Sequence, residues 1–174
     1  MEPVTIPARD CLSLKCYLTL PPGKKKEKLP LVLLVHGGPW ARDHWGWHPE
    51  ALWLADRGSA VLRVNFRGST GYGKSFLHAG DRQWGAKMQD DLTDAVRWAV
   101  EQGLADAARV AIYGGSYGGY AALAGAAFTP EVYACAVDIV GPSNLETLIR
   151  SIPPYWEPMK RIFDLRVGDI EKEP

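Results

Sequence analysis

The 174 residues carry 20 Lys and Arg against 20 Asp and Glu, a formal net charge of zero, with 47% hydrophobic and 23% charged residues and a pI near 6.9. That length suits one domain or a large piece of one, and the composition excludes a disordered tail or a collagen-like repeat. Balanced charge supplies no positive field for nucleic acid or anionic lipid, and the longest apolar run, Leu29–Val35 broken by Pro30, falls far short of the ~20 residues of a membrane helix. We therefore expect neither a nucleic-acid nor a membrane partner, and, with no basic-then-apolar leader in residues 1–20, a cytoplasmic location. Cys11, Cys16 and Cys135 form no CxxC pair, so they read as reduced thiols, with Cys135 inside an apolar strand and no metal site or cofactor implied.

In chain order, Val4-Thr5-Ile6-Pro7 and residues 12–20 alternate apolar and polar side chains around Arg9-Asp10-Cys11, which predicts a hairpin strained at Cys11 or closed by a longer loop. Residues 31–35, 60–64, 110–113 and 134–140 are continuous apolar runs, the pattern of parallel strands covered on both faces. Helices are predicted between them. Residues 50–57 form one, ended by Gly58; Trp84, Met88, Leu92, Ala95, Val96 and Ala99 form the inner stripe of another, with Gln89, Asp90, Asp91, Asp94 and Arg97 largely outward and Gly103 as its stop. Residues 117–127 are nearly all Gly and Ala, a weak choice for an isolated helix but one that permits close approach to a sheet. The result is a single α/β sandwich opened by an antiparallel hairpin.

Gly114-Gly115-Ser116-Tyr117-Gly118-Gly119 contains Gly-x-Ser-x-Gly where an apolar strand meets the small-residue helix. In such a strand-turn-helix bend a strained serine projects its hydroxyl above the sheet, and side chains two before and two after it would collide, so both positions must be Gly. A serine attacking a carbonyl creates an oxyanion, which needs preorganised donors. His36-Gly37-Gly38-Pro39 follows the 31–35 strand and leaves backbone amides uncovered, so Gly38 N–H and Tyr117 N–H are the expected pair. Trp40, Trp45, Trp47 and Trp53 are read chiefly as packing residues, with lining of the site entrance as the second reading.

With both elements placed, the chain resembles the catalytic domain of the prolyl oligopeptidase family of serine peptidases, in its acylaminoacyl-peptidase-like and dipeptidyl-peptidase-like branches. The likeness runs through the hairpin, His36-Gly37-Gly38-Pro39-Trp40, Asn65-Phe66-Arg67-Gly68-Ser69-Thr70-Gly71-Tyr72-Gly73, Trp84-Gly85, Asp90-Asp91-Leu92 and Gly114-Gly115-Ser116-Tyr117-Gly118-Gly119-Tyr120. It implies an α/β-hydrolase fold with a mostly parallel sheet, cleavage of short peptides or acyl peptides by a Ser-Asp-His triad, and usually an N-terminal β-propeller, which is not found in these residues. It makes Ser116 the nucleophile and puts Gly38 and Tyr117 at the oxyanion hole. By the same likeness, residues 141–156 approach the pocket for the side chain before the scissile bond, with Leu145, Tyr155 and Trp156 as candidates.

The triad order in such enzymes is Ser, then acid, then His. Every histidine here, His36, His44, His48 and His78, precedes Ser116. Residues 1–174 therefore read as a partial α/β-hydrolase domain lacking the last strands and helices, with nucleophile and oxyanion hole but no base, and we expect little activity from them alone. His36, beside the oxyanion loop, reads as holding that loop. Strand 134–140 is expected to be left as an exposed apolar edge through which the chain self-associates. Three other functions compete: a non-catalytic binding domain of the same fold, a carboxylesterase, and a nucleotide-binding protein. The last rests on Gly68-Ser69-Thr70-Gly71-Tyr72-Gly73-Lys74-Ser75, which matches G-x-x-x-x-G-K-[ST] but is followed by Gly80 where a long helix is needed.

Overall fold

A computed structural model of the chain describes residues 1–172. Its sheet is built from β1 (Glu2–Pro7), β2 (Ser13–Thr19), β3 (Leu29–Val35), β4 (Ala60–Asn65), β5 (Ala105–Gly115) and β6 (Cys135–Ile139), in the spatial order β1-β2-β4-β3-β5-β6. The opening hairpin pairs antiparallel from Glu2 opposite Leu18 to Pro7 opposite Ser13, and β2 also runs antiparallel to β4. From β4 onward every pairing is parallel. Parallel neighbours need crossovers, which are supplied by α1 (Pro49–Asp56), α2 (Lys74–His78), α3 (Lys87–Glu101) and α4 (Tyr117–Phe128). After β6 come α5 (Leu145–Arg150), a short 3-10 turn at Pro154–Trp156, and α6 (Glu157–Arg166). Cys11, at the hairpin turn, has φ 66°, the left-handed conformation the sequence marks as strained there.

The period-two alternation of a strand divides β3 between two layers. Leu31, Leu33 and Val35 join Leu62, Val64 and Ile112 in the main core with Met88, Leu92, Ala95 and Ala99 of α3 and Ala121 and Ala122 of α4. Val32 and Leu34 turn to the other face and meet Ala51 of α1 with Val61. Each fully buried Leu or Val contributes about 1.5–3 kcal/mol, so the central strands, buried on both faces, carry most of the hydrophobic stabilisation.

Strand β6 departs from this pattern. It pairs only with β5, and all five of its residues are exposed, so the reading of 134–140 as a run covered on both faces does not hold; Cys135 does lie in this strand, but exposed. An apolar run encodes affinity for a sheet but not the strand's rank within it. The expected apolar edge is present, with Val137 46% and Ile139 45% exposed. A second correction concerns α3, which starts at Lys87 rather than Trp84 and buries Gln89 and Asp91 instead of presenting them to solvent. Both have inward partners: Gln89 Nε2 donates to Ala121 O at 3.2 Å, and Asp91 takes the guanidinium of Arg67.

That ion pair ties three elements together. Arg67, just past β4, donates from its backbone N and Nε to Asp91 Oδ2 at 2.8 and 2.9 Å, from Nη2 to Asp91 Oδ1 at 2.7 Å, and from Nη1 to Asp10 Oδ2 in the hairpin turn at 2.9 Å. The Asp91 carboxylate is fully buried and that of Asp10 is 39% exposed. Burial pushes Asp91 up against the pull of Arg67, whereas the hydrogen bonds from Arg67 hold Asp10 down at about 2.

Backbone meets backbone closely where α4 packs on β3. A Cβ on Gly118 would overlap the carbonyl oxygen of Val35, and one on Gly114 would come within 2.5 Å of the Gly118 carbonyl carbon. A Cβ on Gly119 would strike Asp138 Oδ1 in the same way. The glycines that weaken α4 as an isolated helix are what let its backbone lie on the sheet.

Three outcomes are expected. Gly118→Ala destabilises by about 3 kcal/mol, the upper end of overpacking costs, because the obstacle is backbone that cannot yield. Asp91→Asn also costs about 3 kcal/mol, since it removes the buried counter-charge of Arg67 and leaves only the partly exposed Asp10 to pair it; urea unfolding at pH 7 checks both. A carboxyl whose folded pKa lies below its unfolded value contributes stability above the unfolded value and loses it as pH falls through the folded one. Asp10→Asn is therefore expected to flatten the loss of stability between about pH 4 and pH 2 in acid titrations of the melting temperature.

Candidate active site

The carboxyl ends of β3 and β5 converge on one residue. Ser116 stands between β5 and α4 with φ 56° and ψ −117°, a conformation L-residues avoid at about 1–3 kcal/mol, and its side chain is exposed. Surrounding geometry holds it there. Its N–H donates to Ile139 O at 2.9 Å, its carbonyl accepts from Tyr120 N at 3.0 Å to start the helix, and glycines occupy both flanks of the bend. Gly37 lies so close that a Cβ there would be 3.5 Å from Ser116 Cβ and 3.1 Å from Gly115 O. Two loops from distant points in the sequence thus meet over a single hydroxyl.

Ser116, Gly38 and Tyr117 line the same open cleft, of about 440 Å³. Gly38 has φ 126°, and a Cβ on it would lie 2.8 Å from Trp40 N, so the turn admits only glycine. Tyr117 opens α4, where the first amides of a helix have no intrahelical acceptor. Among the described residues, neither the Gly38 nor the Tyr117 amide donates to a backbone carbonyl, which leaves both available to an incoming oxygen. The Tyr117 side chain is fully buried, against Phe66 at 5.2 Å and Trp84 at 4.6 Å between ring centroids.

Segment 141–156 does approach this cleft, but through other residues than those singled out from the sequence. Gly141, Pro142, Ser143, Asn144, Thr147, Leu148 and Ser151 line it, whereas Leu145 faces a neighbouring cleft beside Tyr120 and Leu123. Tyr155 and Trp156 lie outside both, with Tyr155 80% exposed. Asn144 caps α5 by accepting from Thr147 N at 2.8 Å, so positions 144, 147, 148 and 151 share one helix face and 145 falls to its side. That N-cap is the sequence signal for the face turned to the cleft. The cleft is completed by Trp84 and Phe163, whose rings lie 6.1 Å apart; nothing in the local sequence around Phe163 points to it. Trp45, Trp47 and Trp53 are exposed and neither pack in the core nor line the cleft, while Trp40 packs edge-on against Phe163.

No histidine reaches the serine. Among the described residues none hydrogen-bonds Ser116 Oγ, and His36 is engaged elsewhere, with Nδ1 2.8 Å from Gly37 O and Nε2 3.1 Å from Ser69 Oγ. The nucleotide-loop reading fails on the same ground of prior engagement. The amides of Gly68, Ser69 and Thr70 donate to Phe76 O, Phe66 O and Ala41 O, and α2 is only five residues long, too short to present the long helix N-terminus that such a loop needs. No group of three or more metal-ligating side chains occurs among the described residues, and no helix there is long and apolar enough to cross a membrane.

Comparison with known proteins fits this geometry. The chain is 57% identical over 174 aligned residues to dipeptidyl aminopeptidase BIII of Pseudoxanthomonas mexicana, covering 96% of this chain and 25% of that protein. Among solved structures, a puromycin-hydrolyzing peptidase of Mycobacterium tuberculosis superposes over 98% of the chain and 26% of its own, with a TM-score of 0.89 at 30% identity. An acylaminoacyl peptidase in complex with Z-Gly-Gly-Phe-chloromethyl ketone superposes over 99% of the chain and 27% of its own, with a TM-score of 0.87 at 25% identity. The chain thus spans about a quarter of the length of the relatives it matches, and its layers are those of the α/β-hydrolase fold of these peptidases. A model of the prolyl oligopeptidase family matches residues 45–160, and the chain belongs to that family of serine peptidases.

Proposed function

We propose that these residues form the nucleophile-bearing part of a serine peptidase that cleaves short peptides or acyl peptides, with Ser116 as nucleophile and the Gly38 and Tyr117 amides as the oxyanion hole. One observation carries the reading: an exposed serine in a strained strand-to-helix bend shares a cleft with two amides that have no internal acceptor. Attack of Ser116 Oγ on a carbonyl carbon moves negative charge to the carbonyl oxygen, and each such donor is worth ~10²–10³ in rate. The substrate class is supported by the names of the similar proteins, a dipeptidyl aminopeptidase and an acylaminoacyl peptidase bound to a short blocked peptide. The cleft, with Leu148, Phe163 and Trp84 on its walls, has room for a side chain of such a peptide.

A hydroxyl without a base is a poor nucleophile at neutral pH, and loss of the triad histidine in a comparable hydrolase costs ~10⁶ in turnover. We therefore propose that residues 1–174, prepared alone, turn over peptides only at a residual level. The same preparation is proposed to self-associate through the free edge of β6, where Val137 and Ile139 are exposed; a monodisperse monomer in light scattering at high concentration would refute this.

Labelling with a fluorophosphonate tests the nucleophile. In the full-length protein we expect rapid labelling at Ser116, and Ser116→Ala is expected to abolish both labelling and hydrolysis of dipeptidyl or acyl-aminoacyl substrates. Residues 1–174 alone should label at least about a thousandfold more slowly, given the size of the base's contribution. Hydrolysis surviving in Ser116→Ala overturns the assignment, and fast labelling of the 1–174 preparation overturns the dependence on a base from elsewhere.

A further inference from the structure

The stretch Arg63-Val64-Asn65-Phe66-Arg67-Gly68-Ser69 makes up the end of β4 and the turn beyond it, yet it contributes no residue to the cleft. We infer that this stretch is the rack on which the loop carrying the Gly38 amide is built, with Ser69 and Asn65 as positioning residues acting through His36 and Asp43. The inference rests on the proposed role of the Gly38 amide and adds to it the side chains that set where that amide points.

The loop from His36 to His44 is gripped at both ends, with Gly38 between. At the first end His36 lies flat on Phe66, ring centroids 4.5 Å apart and planes 15° from parallel, with Nε2 3.1 Å from Ser69 Oγ and Nδ1 2.8 Å from Gly37 O. A carbonyl only accepts, so Nδ1 carries the proton, and in the neutral ring Nε2 is then the acceptor and the Ser69 hydroxyl the donor. Burial also pushes the imidazole toward its neutral form, which this arrangement requires. The His36 ring thus fixes the plane of the Gly37 carbonyl, and with it the peptide unit whose N–H belongs to Gly38.

At the second end Asp43 N donates to Asn65 Oδ1 at 2.7 Å, and Arg63 Nη1 donates to Asp43 Oδ1 at 3.0 Å while its Nη2 reaches His44 O at 3.3 Å. Thr70 N adds a bond to Ala41 O at 2.9 Å in the middle. Ser69 and Asn65 are fully buried, so each bond is protected from competing water. Arg67, clamped by Asp91 and Asp10, holds the rack itself.

Ser69→Ala deletes one oxygen and leaves Nε2 of His36 buried without its donor. In the full-length enzyme we expect kcat to fall about 10–100-fold with KM within twofold, the pattern of a displaced transition-state donor. Affinity for a peptide aldehyde, which forms a tetrahedral adduct, should fall in step with kcat/KM, and affinity for the product peptide should not change. Ser69→Thr keeps the hydroxyl and should restore most of kcat. Ser116→Ala is run in parallel: if it abolishes turnover while Ser69→Ala leaves kcat and aldehyde affinity unchanged, the rack inference fails and the nucleophile stands. If Ser69→Ala lowers kcat and raises KM together, with equal loss of aldehyde and product binding, the role is merely structural and the inference also fails. Should Ser69→Ala fold poorly, Asn65→Ala, acting at the other end of the loop, is expected to give the same selective loss of kcat and aldehyde affinity, and its absence counts against the inference.

Discussion

Where α4 begins, its backbone lies against the carbonyl of Val35 with no space for a side chain at Gly118, and the chain folds back on itself so closely that a Cβ on Gly114 would strike the Gly118 backbone. This backbone-on-backbone contact compels the rest of the site. A chain leaving β5 and entering a helix within so little space must pass through positive φ at the junction, and the residue there is Ser116. The strain is held because the alternatives collide: relaxing φ would pull Ala121 and Ala122 of α4, fully buried, out of the main core and break the Ser116 bond to Ile139. Hydrophobic burial of α4 thus keeps a polar side chain raised above the sheet.

The other half of the site has a different origin. The Gly38 loop has few apolar side chains to anchor it, and its shape comes from hydrogen bonds supplied by β4 and the turn that follows, themselves fixed by the buried Arg67–Asp91 pair. A buried ion pair of this kind gains little net stability over apolar packing, but its geometry is specific. Here it links the hairpin turn at Asp10, the end of β4 and the face of α3, so that an element outside the cleft fixes the register of one within it.

Much of this was legible in the sequence because it depends on local chemistry. Strand alternation gave the hairpin, continuous apolar runs gave the parallel strands, and Gly-x-Ser-x-Gly at a strand-helix junction gave Ser116 with the steric reason for its glycines. The misreadings share one cause, dependence on partners far away in the chain. Asp91 and Gln89 look like an outer helix face until Arg67 and Ala121 are brought to them; 134–140 looks like a buried strand until its rank at the sheet edge is known. The resemblance points to Leu145 in its segment, whereas the Asn144 cap turns Thr147, Leu148 and Ser151 to the cleft. Phe163 arrives from α6 by tertiary packing alone.

The central claim is geometric: the oxygen of a tetrahedral adduct on Ser116 faces two amides from separate loops. A crystal structure of the full-length protein carrying a peptide aldehyde or phosphonate tests it most directly. The account predicts a covalent bond to Ser116 Oγ and an adduct oxygen about 2.7–3.1 Å from both Gly38 N and Tyr117 N. An adduct on another residue, or an oxygen directed to solvent with either amide turned aside, would contradict it.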